Sequence, residues 1–225
     1  MADRMTTRER ILDASRRLFN EKGYAATTLA EIAASVGIAQ GNLTYHFPTK
    51  RQLVAELGKR MSQRVREQRE LHQRGAVTDD YVELLLFAMN HASENRFLLR
   101  DRAQFGDDPD TRPVAPDMAQ DLEGLRELLM RASKEGLFRR DLEVDLGVLA
   151  RSLWIVSRYW MDHLREVEGV EEATWEDLER GVRHHFSVLL PYLTASAKRD
   201  LESALARASI RPASGDESGQ AQMAR

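Results

Sequence analysis

The segment TTLAEIAASVGIAQGNLTYHFPTK, residues 27–50, constrains the fold of this chain more than any other. Leu29, Ile32, Ala33 and Val36 recur at helical spacing and give a first short helix one apolar face. Thr28, with Glu31 three residues on, is a capping-box signature at its start. Gly37 follows the last apolar position, where a tight turn needs a left-handed backbone that glycine adopts cheaply. Ile38 and Leu43 anchor a second helix, about Ala39–His46, to the same core, and Pro48 stops it. Two short helices joined by a tight turn predict a helix-turn-helix over 28–47.

The core positions leave Ala39, Gln40, Gly41, Asn42, Thr44 and Tyr45 facing outward or toward the start of the second helix. Gln and Asn pair bidentately with adenine in a major groove, so Gln40 and Asn42 are the candidate base readers. Gly41 permits close backbone approach. Tyr45 and His46 are placed to meet phosphate or sugar. Thr28, with the free N–H groups that follow it, is a candidate anion site for one phosphate. Lys50 is the candidate for a second. The plain alternative is a pair of packed helices with a solvated polar face.

Charge is divided along the chain. Residues 1–75 hold 14 Lys/Arg against 8 Asp/Glu, and the remainder holds 19 against 28. A basic head on an acidic body suits a polyanion partner at one end only. Outside the motif the chain reads as all-α. Helices are expected over about 6–22, 49–72, 79–95, 96–105, 117–135, 145–167 and 175–194, the last interrupted near Pro191, with a polar helix over 195–208. No segment shows the two-residue alternation of a strand. The expected division is a DNA-binding domain over 1–48, a helical regulatory and dimerisation domain over 49–208, and a disordered tail over 209–225. GDDPDTRPVAP, residues 106–116, reads as the one clear internal loop. The chain has no cysteine, which excludes a disulfide framework and fits a reducing cytoplasm. No run approaches the roughly 18 apolar residues of a membrane span. The opening MADRMTTRER has no apolar stretch behind its charges, so no secretory leader is expected.

Residues 8–53 resemble the DNA-binding domain of the TetR family of bacterial regulators. The resemblance rests on Ile11, Ala14, Leu18, Phe19, Gly23, Tyr24, Thr27, Thr28, Ile32, Ala33, Val36, Gly37, Gly41, Leu43, Phe47, Lys50 and Leu53. Two positions depart: Ala39 stands where the family usually has a capping Ser, and Thr44 where it usually has a Tyr that touches phosphate. The segments ENRFLLRDRAQFGDDPDTR and GLFRRDLEVDLGVLARSLWIVSRYWMDHL are similar to one repressor subfamily within TetR. The resemblance implies a homodimer on a palindromic DNA operator, and a body that binds a small ligand. Phe87, Phe97, Phe105, Trp154 and Trp160 are candidates for an apolar cavity, and Asn90, His91, Arg100 and Arg158 for its polar contacts. The alternative is that the aromatics simply fill the core. Dimerisation is placed on 145–167 and 174–194, with Leu149, Leu153, Val182, Phe186, Leu189 and Leu190 as candidates.

Other classes fit less well. His91–Glu94 and His163–Glu166 put His before Glu, the reverse of the order used by bundle metal sites. His184 and His185 fall on different faces. No Gly-rich phosphate loop and no nucleophile elbow is found. No catalytic residue, metal or cofactor is expected. Within the regulatory reading, an activator and a helical protein-interaction adaptor are the alternatives to a ligand-released repressor.

Overall fold

A computed structural model of the chain describes residues 5–72, 75–105 and 118–210, without the side chains of residues 209 and 210. The expected loop at 106–116 and the tail beyond residue 210 lie outside the described residues. The helices are α1 Thr7–Lys22, α2 Leu29–Val36, α3 Gln40–His46, α4 Lys50–Leu71, α5 Val77–Glu94, α6 Phe97–Arg100, α7 Met118–Lys134, α8 Leu146–Glu168, α9 Trp175–Leu189 and α10 Ala195–Ile210. The fold is all-α, and among the described residues the one bridge of β type joins Phe138 to Leu193.

Local chemistry sets the helix ends. Thr6 with Glu9, Thr28 with Glu31, and Thr174 with Asp177 form complete capping boxes, each satisfying two otherwise orphaned N–H groups. Asp145 caps α8 by accepting from Gly147 and Val148. Gly37, at φ +73°, closes α2 in the left-handed conformation, where a side chain would be strained.

Buried side chains form two clusters. The head cluster joins α1, α2 and α3 to the first half of α4, with Ile11, Phe19, Ile32, Leu43 and Leu53 fully enclosed. Each such side chain contributes about 1.5–3 kcal/mol of burial. The body cluster packs α5 at its centre against α7, α8, α9 and α10. α10 is a core element rather than the polar helix expected. Ala197, Leu201, Ala204 and Leu205 recur at spacings of four, three and one, and all are buried. Small alanines carry half of that stripe, so its hydrophobicity is muted in the sequence.

The head cluster also receives residues from the body. Phe97 packs on Phe19 with ring centroids 5.2 Å apart, and Phe105 meets Tyr24 edge-on at 5.0 Å. The helix expected over 96–105 breaks at Asp101, whose buried carboxylate accepts from the Tyr24 N–H at 2.8 Å. Arg100 pairs with that carboxylate and donates to the carbonyls of Phe19 and Asn20. Asn20 completes the joint by donating to the Glu94 carbonyl at 2.7 Å and accepting from the Phe97 N–H. The C-terminal end of α1 is thus fastened to the corner between α5 and α6.

Candidate nucleic-acid interface and body cavity

α3 is held by one fully buried residue, Leu43, and by Phe47 just past its end. Gln40, Gly41, Asn42 and Tyr45 are exposed together, with Thr44 and His46 partly covered. Tyr45 is 84% exposed, so a large ring is held out in solvent with no intramolecular burial to offset it. The Thr44 hydroxyl donates back to the Gly41 carbonyl at 3.1 Å, which leaves its oxygen free to accept.

Two of the expected phosphate contacts have other occupations. Lys50 donates to the carbonyls of Tyr24 and Thr27, both at 2.7 Å, and sits 4.5 Å above the Tyr24 ring. Burial lowers its pKa, as expected for an ammonium turned inward. Lys50 therefore ties the start of α4 to the loop before α2. Thr28 exchanges hydrogen bonds with Glu31, whose carboxylate lies across the start of α2. Lys22 and Thr28 hold that carboxylate at a pKa of about 2. A phosphate approaching the start of α2 meets this negative charge, so Thr28 is not an open anion site. Sequence spacing locates helix ends but not which side chain fills them.

Ala39 precedes α3 and offers no side-chain cap. Ala39→Ser is expected to stabilise the fold by about 1 kcal/mol, by satisfying an N–H that now has only solvent. Urea denaturation of the two proteins checks this, and a lower midpoint for the variant contradicts it.

A cavity of about 160 Å³ lies between α4, α5, α7, α8 and α9. Its apolar wall includes Met61 and Val65 of α4, Leu84, Leu85 and Phe87 of α5, Leu125 and Leu128 of α7, and Trp154 of α8. Of the expected ligand residues, Phe87, His91, Trp154 and Arg158 line it. The others do not. Phe97 and Phe105 fill the head cluster, and Arg100 serves the α1 joint. Asn90 bonds Glu94 at 3.0 Å. Trp160 packs over Gly181, where an added methyl would come within 2.7 Å of its ring, and donates to the Asp177 carbonyl. Trp160 thus joins α8 to α9.

The cavity also gathers residues that sequence reading passed over. Arg69 of α4 pairs with Asp121 of α7 at 2.7 Å, crossing Gly124, where a methyl would strike the guanidinium at 2.7 Å. Met61, Val65 and Arg69 are spaced by four, a stripe concealed by the basic composition of α4. Tyr81, Ser157 and His185 form a chain at the cavity wall. The Tyr81 hydroxyl lies 2.6 Å from His185 Nε2, and Ser157 Oγ lies 2.6 Å from Nδ1. Ser157 donates its single proton to the Leu153 carbonyl. His185 Nδ1–H therefore donates to Ser157, and Tyr81 donates to Nε2. One neutral tautomer satisfies the whole chain.

Burial lowers the His185 pKa from 6.5 to about 3. The unfolded chain therefore takes up this proton first. The contribution to stability is full above 6.5 and is lost as pH falls toward about 3. The expected slope in that window is at most about 1.4 kcal/mol per pH unit. Denaturation series on the wild type and His185→Gln check this; equal slopes for the two contradict it.

Among the described residues no three His, Asp or Glu side chains converge as a metal site, and His163 pairs with Glu168 rather than Glu166. No helix among them is long and apolar enough to cross a membrane.

An exposed recognition helix on a helix-turn-helix, joined to a helical body with an apolar cavity, defines a DNA-binding transcriptional regulator. Residues 11–57 match the family model for bacterial regulatory proteins of the tetR family, and residues 59–201 match that for a bacterial transcriptional repressor. The second match spans more than half of the sequence, and the chain belongs to the TetR family. It is 27% identical to the HTH-type transcriptional repressor KstR2 of Mycobacterium tuberculosis over 161 residues, covering 68% of this chain and 80% of KstR2. It is 41% identical to the HTH-type transcriptional regulator AcrR of Shigella flexneri over 51 residues, 23% of this chain but only 24% of AcrR. The crystal structure of a TetR-family regulator from Marinobacter aquaeolei superposes with a TM-score of 0.75 at 27% identity, covering 92% of this chain and all of that one. A SmeT–triclosan complex shares the fold at a TM-score of 0.60 and 24% identity, over 86% of this chain and 94% of that one.

Proposed function

We propose that this chain is a homodimeric, ligand-responsive repressor that releases a palindromic operator when a small hydrophobic molecule enters the body cavity. In this reading Gln40 and Asn42 of each α3 contact base edges. Gly41, Thr44, Tyr45 and His46 contact the sugar–phosphate backbone. Lys50 and Thr28 act from within, by holding the head together.

One observation carries the coupling. α4 spans the head cluster and the cavity: Leu53, Val54 and Leu57 pack in the head, while Val65 and Arg69 line the cavity. A ligand that displaces the second half of α4 moves the first half, and with it α3. The fastening of α1 to the Glu94 carbonyl gives α5, which also lines the cavity, a second hold on the head. Such coupling is limited by the ligand's differential affinity for the DNA-bound and released states. The relative crystallised with triclosan supports an apolar ligand of modest size.

The test is an operator titration in the presence of apolar compounds whose saturation is followed through Trp154 fluorescence. Operator affinity is expected to fall at least about fivefold, the lower end of allosteric coupling. Unchanged affinity at full saturation refutes the coupling.

A further inference from the structure

The cavity is apolar in most of its wall, yet one cation in it has no partner among the described residues. Of its ionisable side chains, Arg69 and Asp121 neutralise each other at 2.7 Å. His185 is neutral within its hydrogen-bonded chain. That leaves His91, which faces the Glu94 carboxylate at 3.7 Å, and Arg158, which donates no hydrogen bond and forms no ion pair with any described residue. The two carboxylates whose charge reaches Arg158 are engaged elsewhere: Asp121 with Arg69, and Asp162 with Arg165 at 3.0 Å. Burial lowers the Arg158 pKa, the mark of a desolvated guanidinium without a full counter-charge. A half-buried cation of this kind is costly unless something neutralises it.

A second polar group lining the cavity is also unsatisfied. The His91 side chain is 5% exposed, and its Nε2 is buried with no hydrogen-bond partner. The ring stacks on Phe87, with centroids 5.2 Å apart; Nδ1 lies 3.7 Å from the Glu94 carboxylate and 3.5 Å from the Asn95 amide nitrogen, and in the tautomer where it accepts from Asn95 the ring's N–H is on Nε2. A buried ring nitrogen without a partner destabilises the empty cavity, and a ligand that bonds to it removes that cost.

From these two groups we infer that the ligand of this cavity is an apolar molecule carrying one acidic head, a carboxylate or similar monoanion. Arg158 receives the head, and His91 Nε2 supplies a second polar contact. The inference rests on the reading of the cavity as a ligand site, and it names the chemical class that site selects. A guanidinium matches a carboxylate with two parallel N–H donors, so the head also fixes the ligand's direction in the cavity. The apolar remainder lies along Phe87, Trp154, Leu125 and Leu128.

The test uses the full chain and three probes with the same alkyl tail: decanoate, decanol and decylamine. Binding is read by tryptophan fluorescence and calorimetry on the wild type, Arg158→Met and Arg158→Lys. Decanoate is expected to bind the wild type about ten- to a hundredfold tighter than decanol, the range of a charge-assisted hydrogen-bonded pair. Decylamine is expected to bind more weakly than either. Arg158→Met should erase the preference for decanoate by weakening decanoate far more than decanol, and Arg158→Lys should retain part of it. Ala92→Phe, which narrows the cavity from α5, should weaken decanoate and decanol alike. Equal affinity for decanoate and decanol overturns the acidic-head inference and leaves an apolar site standing. A decanoate preference that persists in Arg158→Met also overturns it. Failure of all three probes to bind overturns both the inference and the ligand-site reading. Decanoate that binds through Arg158 without releasing the operator supports the inference and removes the repressor-release reading alone.

Discussion

Replacing Gln40 and Asn42 together by alanine is expected to lower operator affinity by at least about thirtyfold while leaving the folded head intact. Each bidentate contact to a base is worth roughly 1–3 kcal/mol of discrimination, so the pair accounts for roughly 2–6 kcal/mol. Both side chains are exposed. Leu43 and Phe47 hold α3 in place without them. The salt dependence of binding should be preserved, because it reports phosphate contacts made by other residues. Mobility-shift titration on operator and on random DNA separates the outcomes. A double variant with wild-type operator affinity removes both residues from base reading, whereas a collapse in thermal stability assigns them to the fold.

The second large effect concerns the dimer. Substituting Ile155→Glu with Tyr159→Glu is expected to halve the mass in solution and to weaken operator binding by about a hundredfold or more. Val148, Ile155 and Tyr159 lie seven and four apart on one face of α8, and are 59%, 48% and 53% exposed. A stripe of large apolar side chains left in water on a long helix marks a surface that another chain covers. The residues first expected there serve a different purpose. Leu149, Leu153, Val182, Phe186 and Leu189 are buried inside the single chain, where α8 and α9 pack on α5, and Leu190 is partly buried against the same cluster. A monomer engages one half-site at a time and loses the gain in effective concentration that joins two. Light scattering and operator titration on the double variant check both halves of this expectation. A variant that stays dimeric places the interface elsewhere.

The contrast between the two faces of α8 shows where the sequence was legible. Periodicity identified α8 and its strong apolar character, but the helix is apolar on two sides, and a hydrophobic pattern does not say which side meets its own chain. The head was legible almost to the residue, because Gly37, Leu43 and the Thr28–Glu31 box each have one structural use at their spacing. Its phosphate contacts were less so. A lysine at the start of a helix reads as a surface cation, and only the folded loop shows three carbonyls converging on Lys50. In the cavity, Phe87 and Trp154 were legible as large side chains awaiting a place. Tyr81, Ser157 and His185 were not, because their significance lies in meeting one another across three helices.

The central claim is that this chain reads DNA as a symmetric pair of α3 helices. Selection of binding sites from a random-sequence DNA pool by the purified protein tests it most directly. The account predicts an inverted repeat, bound by two chains, with half-sites one helical turn or a multiple apart. Recovery of no consensus, or of a single unsymmetrical site bound by one chain, would contradict it.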